Sequence, residues 1–203
     1  MDHALIAQAA IAAAVAWGSG LRLYLVLFVL GMLGRFGGFE LPDTLDWLNH
    51  PASLGLTGLL SVAEFFADKI PWLDSVWDAL HSFLRIPAGA ALAAVLFPEL
   101  GGGGMTALVA LLGGGVAASA QLTKTGSRAV INASPEPFTN IAASMGEEIL
   151  LFAGLWTAFA HPQVFLVLLL IFVVLSAALA VFFVRAIRRM FAARKRSGRV
   201  NTP

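Results

Sequence analysis

Apolar residues fall in six long blocks, 4–33, 54–69, 74–97, 105–132, 138–160 and 163–184. A helix rises about 1.5 Å per residue, and about 20 apolar residues cross the hydrocarbon core of a bilayer. The pattern therefore predicts an all-α integral membrane protein with about six transmembrane helices. The first and fourth blocks are too long for a straight span. Gly18-Ser19-Gly20, with Arg22 just after it, is the expected break in the first, and Gly113-Gly114-Gly115 with Gly126 in the fourth. Pro87 lies inside the third block, where it removes a backbone hydrogen bond and kinks the helix just after Arg85. Polar or turn-forming stretches separate the blocks: 35–51 with Glu40, Asp43 and Asp46, the glycine-rich 98–104, and Ser134-Pro135-Glu136-Pro137.

The polar positions inside the blocks are ordered. Between Glu64 and Arg85 the chain carries Glu64, Asp68, Lys69, Asp74, Asp78, His81 and Arg85. At 100° per residue, Asp74, Asp78, His81 and Arg85 share a helical wedge of about 60°. The opposite face holds Val76, Leu80, Phe83 and Leu84. Thr57, Ser61, Glu64 and Asp68 make a second stripe at i, i+4, i+7 and i+11. Ile70-Pro71 interrupts the two helices, since proline disfavours helix at the residue before it. The expected unit is a helical hairpin with facing polar stripes and Asp68, Lys69 and Asp74 at its tip. Gln121, Lys124, Arg128 and Asn132 form a stripe on the fourth segment, and Asn140, Ser144, Glu147 and Glu148 stand near the start of the fifth.

Composition agrees with the block pattern. Of 203 residues 59% are hydrophobic and 12% charged, against about 45–50% and 25% in a soluble domain. One helical domain over 1–184 and a basic tail over 185–203 are expected. With no cysteine, disulfides, thiolate metal sites and cysteine nucleophiles are excluded. Met1-Asp2-His3 lacks the basic n-region of a signal peptide, so the start reads as the beginning of the first segment. The tail holds seven of the 13 basic residues and no acid. Beside a last membrane helix this marks a cytoplasmic end on an anionic leaflet rather than a nucleic-acid site. With six spans the N-terminus is then cytoplasmic too. Lys69, Lys124 and Arg128 lie toward the inside, and Glu40, Asp43, Asp46 and Glu99 outside. The halves 4–97 and 105–184 share an outline of one overlong segment and two further spans, which fits two inverted three-helix repeats.

A charge in the bilayer costs at least about 2.5–3.5 kcal/mol and persists when paired, hydrated or needed. Depth therefore selects the candidates. Arg85 lies about 16 Å along its helix from Asp74; it reads as a substrate or gating charge, or as a structural ion pair with Glu64 or Glu147. Arg22 would head a half-helix whose free N–H groups favour an anion. Lys124 and Arg128 complete the substrate-binding or gating set, or snorkel to the interface. Glu64, Asp68, Asp78, His81, Glu147 and Glu148 are the candidates for proton or ion coupling. Of the adjacent Glu147 and Glu148, one should point inward and one outward. No cofactor is expected. If a metal binds, Glu64, Asp68, Asp74 and Asp78 offer hard oxygens suited to a divalent cation, which the nearby bases oppose. No P-loop, HExxH or nucleophile-elbow pattern is present.

The runs GSGLRLYL, EFFADKIPWLDSVWDALHSFLRIPAGA and SPEPFTNIAASMGEE resemble the bacterial membrane family called domain of unknown function 4126. The resemblance spans nearly all the chain short of the tail. It implies a multi-pass inner-membrane protein and supplies no activity and no site residues. The residues themselves favour a small transporter of a charged or polar solute, proton- or ion-coupled, working among membrane lipids, alone or as a homo-oligomer. The alternatives are a membrane-embedded enzyme acting on lipid head groups with a divalent metal, and a non-catalytic scaffold subunit.

Overall fold

A computed structural model describes residues 3–97, 103–132 and 137–200. Among these the chain forms six α-helices and one 3-10 helix: α1 (His3–Phe36), the 3-10 helix Asp43–Asn49, α2 (Pro51–Ala67), α3 (Pro71–Leu96), α4 (Gly103–Asn132), α5 (Pro137–Ala160) and α6 (Pro162–Val200). No strand occurs among the described residues. Four helices open on proline, which is pre-set for the first helical turn and gives up an N–H that has no partner there anyway. The His50 ring nitrogen accepts from the Ala52 N–H (3.2 Å) and so caps α2. The expected loops at 98–104 and 134–137 fall largely outside the described residues, as does Glu99. The tail begins as a continuation of α6.

Helix α1 is folded back on itself. Arg22 has φ −148° and ψ 84°, outside the helical region. A straight helix of 34 residues would separate its ends by about 51 Å. Yet Leu5, Ile6 and Ala9 share a cavity with Gln163 and Phe97, while Phe39, just past the other end, packs edge-on against Phe159 at 5.7 Å. Both ends of α1 thus lie where α5 meets α6. A Cβ on Gly18 would come within 2.9 Å of Val26 Cγ2, although these positions are about 12 Å apart along a continuous helix. The limbs 3–21 and 23–36 therefore form a hairpin with Arg22 at its turn, and Gly18 lets them approach. The expected break is present, placed at Arg22 itself rather than within Gly18-Ser19-Gly20.

The first limb is the centre of the bundle, with every residue from Ala14 to Leu23 buried. Small residues bring α3 and α4 against it. Gly20 abuts the Ala117 carbonyl, and a Cβ on Gly89 would meet the Ala117 Cβ at 2.6 Å. Gly113 also serves this close approach, against Ala93 and the Gly89 carbonyl. That use corrects the expected break in the fourth segment: α4 runs unbroken from Gly103 to Asn132, and the two halves differ in their first element.

Five helices, α1 and α3 to α6, are long and apolar enough to cross a membrane. Helix α2, with 17 residues, is about 25 Å long, short of the ~30 Å core. It runs beside the second limb of α1, with Gly58 against Phe28 and the Leu54 side chain at Gly31. The outer surface is apolar, as on α3 at Leu80, Phe83 and Leu84 and along α6 at Leu170, Ile171 and Leu175. Because α1 starts at the end of the bundle from which α6 departs, His3 and the far end of α6 lie at opposite ends. The fold-back at Arg22 is the reason.

Gly20→Ala should lower the thermal unfolding temperature in detergent, because the added methyl meets a backbone carbonyl; overpacking of this kind costs about 1–3 kcal/mol. Gly115→Ala, where nothing lies within 4 Å, should hold or raise it, since alanine exceeds glycine in helix propensity by about 1 kcal/mol.

Candidate functional site

The two hairpin turns meet. Asp68, the residue that ends α2, is fully buried, and its Oδ2 lies 2.7 Å from Arg22 Nη2, 3.0 Å from Lys124 Nζ and 3.9 Å from Arg128 Nη2. One carboxylate from the α2–α3 turn thus joins the turn of α1 to two bases of α4. Burial acts to raise the Asp68 carboxyl, but Lys124, Arg22 and Arg128 outweigh it and hold the group below the ordinary carboxylate range. Arg22 also donates to Ser144 Oγ (3.0 Å) and faces Glu148 at 3.4 Å. Lys124 Nζ donates to the carbonyl of Leu21 (3.3 Å), beside the break.

Arg85 forms a second, deeper node. It lies 11 residues before the end of α3, about 17 Å from that end and near mid-bundle. Its guanidinium pairs with Glu64 of α2 and with Asp78 two turns earlier on the same face of α3 (2.6 Å), and it donates to Gln121 Oε1 (2.8 Å). Gln121 in turn donates to Ser82 and Thr125. Arg128 makes the third node, gripping Glu147 with two parallel contacts of 3.0 Å. Its remaining nitrogen donates to the carbonyls of Asp68 and Asn140 and to Asn140 Oδ1. This forked geometry is what arginine supplies and lysine does not. Asp74 Oδ1 stands 3.9 Å from Arg128 Nε.

The expected stripes on α2, α3, α4 and α5 therefore converge, and Arg22, Arg85, Lys124 and Arg128 reach the same interior as Glu64, Asp68, Asp74, Asp78, Glu147 and Glu148. At the tip of the α2–α3 hairpin Asp68 and Asp74 are both fully buried. Three expectations change. Lys124 and Arg128 do not snorkel; each is 2% exposed. Glu147 and Glu148 both turn toward bases, Arg128 and Arg22, from the rim of the cluster. His81 stands beside the cluster instead of in it: its ring stacks on Trp77 at 4.2 Å, meets Tyr24 edge-on, and its Nδ1 lies 2.8 Å from the Trp77 carbonyl. The Asn132 side chain lies outside the described residues. The binding roles of Gln121, Asn140 and Ser144 were signalled only by their place on the polar stripes; Tyr24 had no signal, because its partner depends on the fold-back.

Oxygens of Asp68, Asp74 and Asp78 lie within 4.8 Å of one another, a spacing that suits a hard cation. Lys124 and Arg22 already hold Asp68, and Lys124 stands 3.4 Å from Asp78. Six carboxylates face four buried bases, and half-buried Lys69 in the α2–α3 turn adds a fifth base near Glu148 and Asp68. Glu64 Oε2, Asp68 Oδ1, Asp78 Oδ2, Arg22 Nε, Arg85 Nε and Asn140 Nδ2 are buried without a hydrogen-bond partner among the described residues. A cavity of about 660 Å³ between α4 and α6 is apolar, lined by residues such as Gly115, Leu122, Val173 and Phe183, and no member of the network borders it.

An apolar exterior around an ion-paired interior defines a multi-pass, all-helical membrane protein. The chain matches the family described as Domain of unknown function (DUF4126) over residues 9–182, and it belongs to that family. No curated protein and no solved structure matches it.

Two outcomes follow from the pairing. Arg85→Gln should destabilise the protein by about 3–5 kcal/mol, because Glu64 loses its base and Asp78 keeps only Lys124; adding Glu64→Gln should restore part of that loss. A double-mutant cycle on unfolding in detergent measures the coupling, and strict additivity would show that the pair is not formed. Asp68 has a depressed pKa in the folded state, so its stabilising contribution is present at neutral pH and lost as pH falls through that depressed value. The difference in melting temperature between wild type and Asp68→Asn should therefore persist down to about pH 4, the ordinary aspartate range, and close only below it.

Proposed function

We propose that this protein is a small membrane transporter whose site is the buried network around Asp68. The observation that carries the reading is the interruption of α1 at Arg22 inside that network. Discontinuous helices that turn at a buried polar site are the recurring way in which secondary transporters bind solutes and coupling ions. The sharing of partners supports it further. Asp68 has three bases in reach and Lys124 has three carboxylates, so alternative pairings differ little in energy and the network can rearrange. Buried ion pairs add little net stability over apolar packing, which leaves stability alone a weak reason to keep ten such groups. With Lys69 counted, one carboxylate remains in excess, which favours a cationic solute or a coupling proton over the anion that Arg22 and Arg85 suggest by themselves.

On this reading the basic tail and the network end of the bundle face the cytoplasm of an inner membrane, and Glu40, Asp43 and Asp46 face outward. The start of α1 is then on the outer side. The enzyme reading has less support, because the aspartates it needs for a metal are held by bases and His81 is engaged by Trp77 and Tyr24. A scaffold has one observation in its favour: the 660 Å³ cavity is apolar and lies apart from the charges.

Liposomes containing the purified protein and an entrapped pH-sensitive dye distinguish these readings. Addition of sodium, potassium or ammonium salts, with and without a pH gradient, should produce protein-dependent proton or cation movement. Asp68→Asn should abolish it in protein that still elutes as a folded species. Absence of flux with every salt and gradient, or undiminished flux in folded Asp68→Asn, would leave the scaffold.

A further inference from the structure

We infer that the Lys124 ammonium occupies a seat built for a small ammonium-type cation, and that an external cation of that class exchanges with it. The inference rests on the transport reading above and names what the site takes. Four elements converge on Lys124 Nζ: Asp68 Oδ2 of the α2–α3 turn at 3.0 Å, the Leu21 carbonyl at the break of α1 at 3.3 Å, Asp78 Oδ1 of α3 at 3.4 Å and Glu147 Oε2 of α5 at 3.7 Å. A carbonyl from an interrupted helix joined to carboxylates is the usual make-up of a cation seat in a broken-helix protein. Here the seat holds a cation supplied by the chain.

Three features make that cation replaceable. First, Asp68 and Asp78 are 0% and 2% exposed, yet Asp68 Oδ1 and Asp78 Oδ2 have no hydrogen-bond partner among the described residues. The seat keeps acceptor capacity that Lys124 leaves unused. Second, Lys124 is held without a fork, by contacts of 3.0–3.7 Å to its one nitrogen. Arg128 is forked onto Glu147 and Arg85 spans Glu64, Asp78 and Gln121, whereas a lysine is a point charge on a flexible four-carbon stem. Third, Glu147 and Glu148 retain 13% and 17% side-chain exposure, which places the wetter rim of the network next to the seat. The resident group names the class of ligand. Lys124 is a primary alkylammonium, and its acceptors at 3.0–3.7 Å stand farther out than the about 2.0–2.6 Å at which bare metal ions sit from their oxygens. Ammonium and primary alkylammonium ions fit; a divalent metal would need the site to contract.

Thermal unfolding of the purified full chain tests this, because a ligand that binds only the folded state raises the melting temperature saturably. Ammonium chloride should stabilise the wild type saturably, sodium chloride less so, and choline chloride, which has no N–H, not at all. In Lys124→Ala the resident competitor is gone, so propylammonium, which replaces the lost side chain, should stabilise at a lower half-saturating concentration than in wild type. If Lys124→Ala does not fold, Lys124→Gln carries the same comparison. Equal half-saturation in variant and wild type would put the cation elsewhere and overturn the seat. A sodium effect matching that of ammonium would overturn the ligand class, and no saturable effect in wild type would overturn the exchange. Saturable ammonium binding without flux in liposomes would sink transport and keep the seat, while flux without ammonium binding would do the reverse.

Discussion

The structure depends on bringing carboxylates to four cations that cannot face lipid. Arg22, Arg85, Lys124 and Arg128 are all at most 2% exposed in a bundle with an apolar exterior. An unpaired charge there costs several kcal/mol after relaxation, so each helix has to deliver a partner within about 4 Å. Asp68 does most of this, since it touches the turn of α1 and two bases of α4 at once. Its position explains the short α2: the helix ends where its last carboxylate meets Arg22, not where a bilayer ends.

The architecture is a consequence of that meeting. Two hairpins, one made by α1 alone and one by α2 and α3, point their turns at the same place. The hairpin of α1 is unusual in needing no loop, with one residue out of helical geometry reversing the chain. It is tolerated because the backbone at the turn has partners, the Leu21 carbonyl receiving Lys124 and the Arg22 side chain filling the space beyond. The same residues that create the charge problem therefore satisfy the polar groups that the break exposes. Around them, contacts among Ala16, Gly20, Gly89 and Ala117 draw the first limb, α3 and α4 close enough for side chains of ordinary length to reach across.

Such a network is a poor way to add stability and a good way to hold several arrangements of similar energy. Each base has more than one acid within reach, and several polar atoms have no hydrogen-bond partner among the described residues. A rigid scaffold would be served by fewer, isolated pairs or by apolar packing. Lys124 differs from the forked Arg128 and the spanning Arg85 in meeting its partners through one nitrogen on a flexible stem.

Much was legible in the order of residues because helical geometry is local. The stripes Glu64–Asp68, Asp74–Asp78–Arg85 and Gln121–Lys124–Arg128 follow from 3.6 residues per turn, and their lipid-facing backs at Leu80 and Phe83 follow from the same arithmetic. The membrane class follows from composition, and the need for pairing from the cost of a buried charge. What tertiary structure decided is which stripes meet and at what depth. No local rule says that Arg22 is a point of reversal rather than a kink, because glycine and serine before it serve close packing and helix breaking equally well. That one reversal moved the start of α1 to the opposite end from the far end of α6, buried the α2–α3 turn, and turned His81 toward Tyr24. Periodicity assigns each residue a face, but the partner of a face is set by long-range packing, where a single backbone angle can redirect a whole helix.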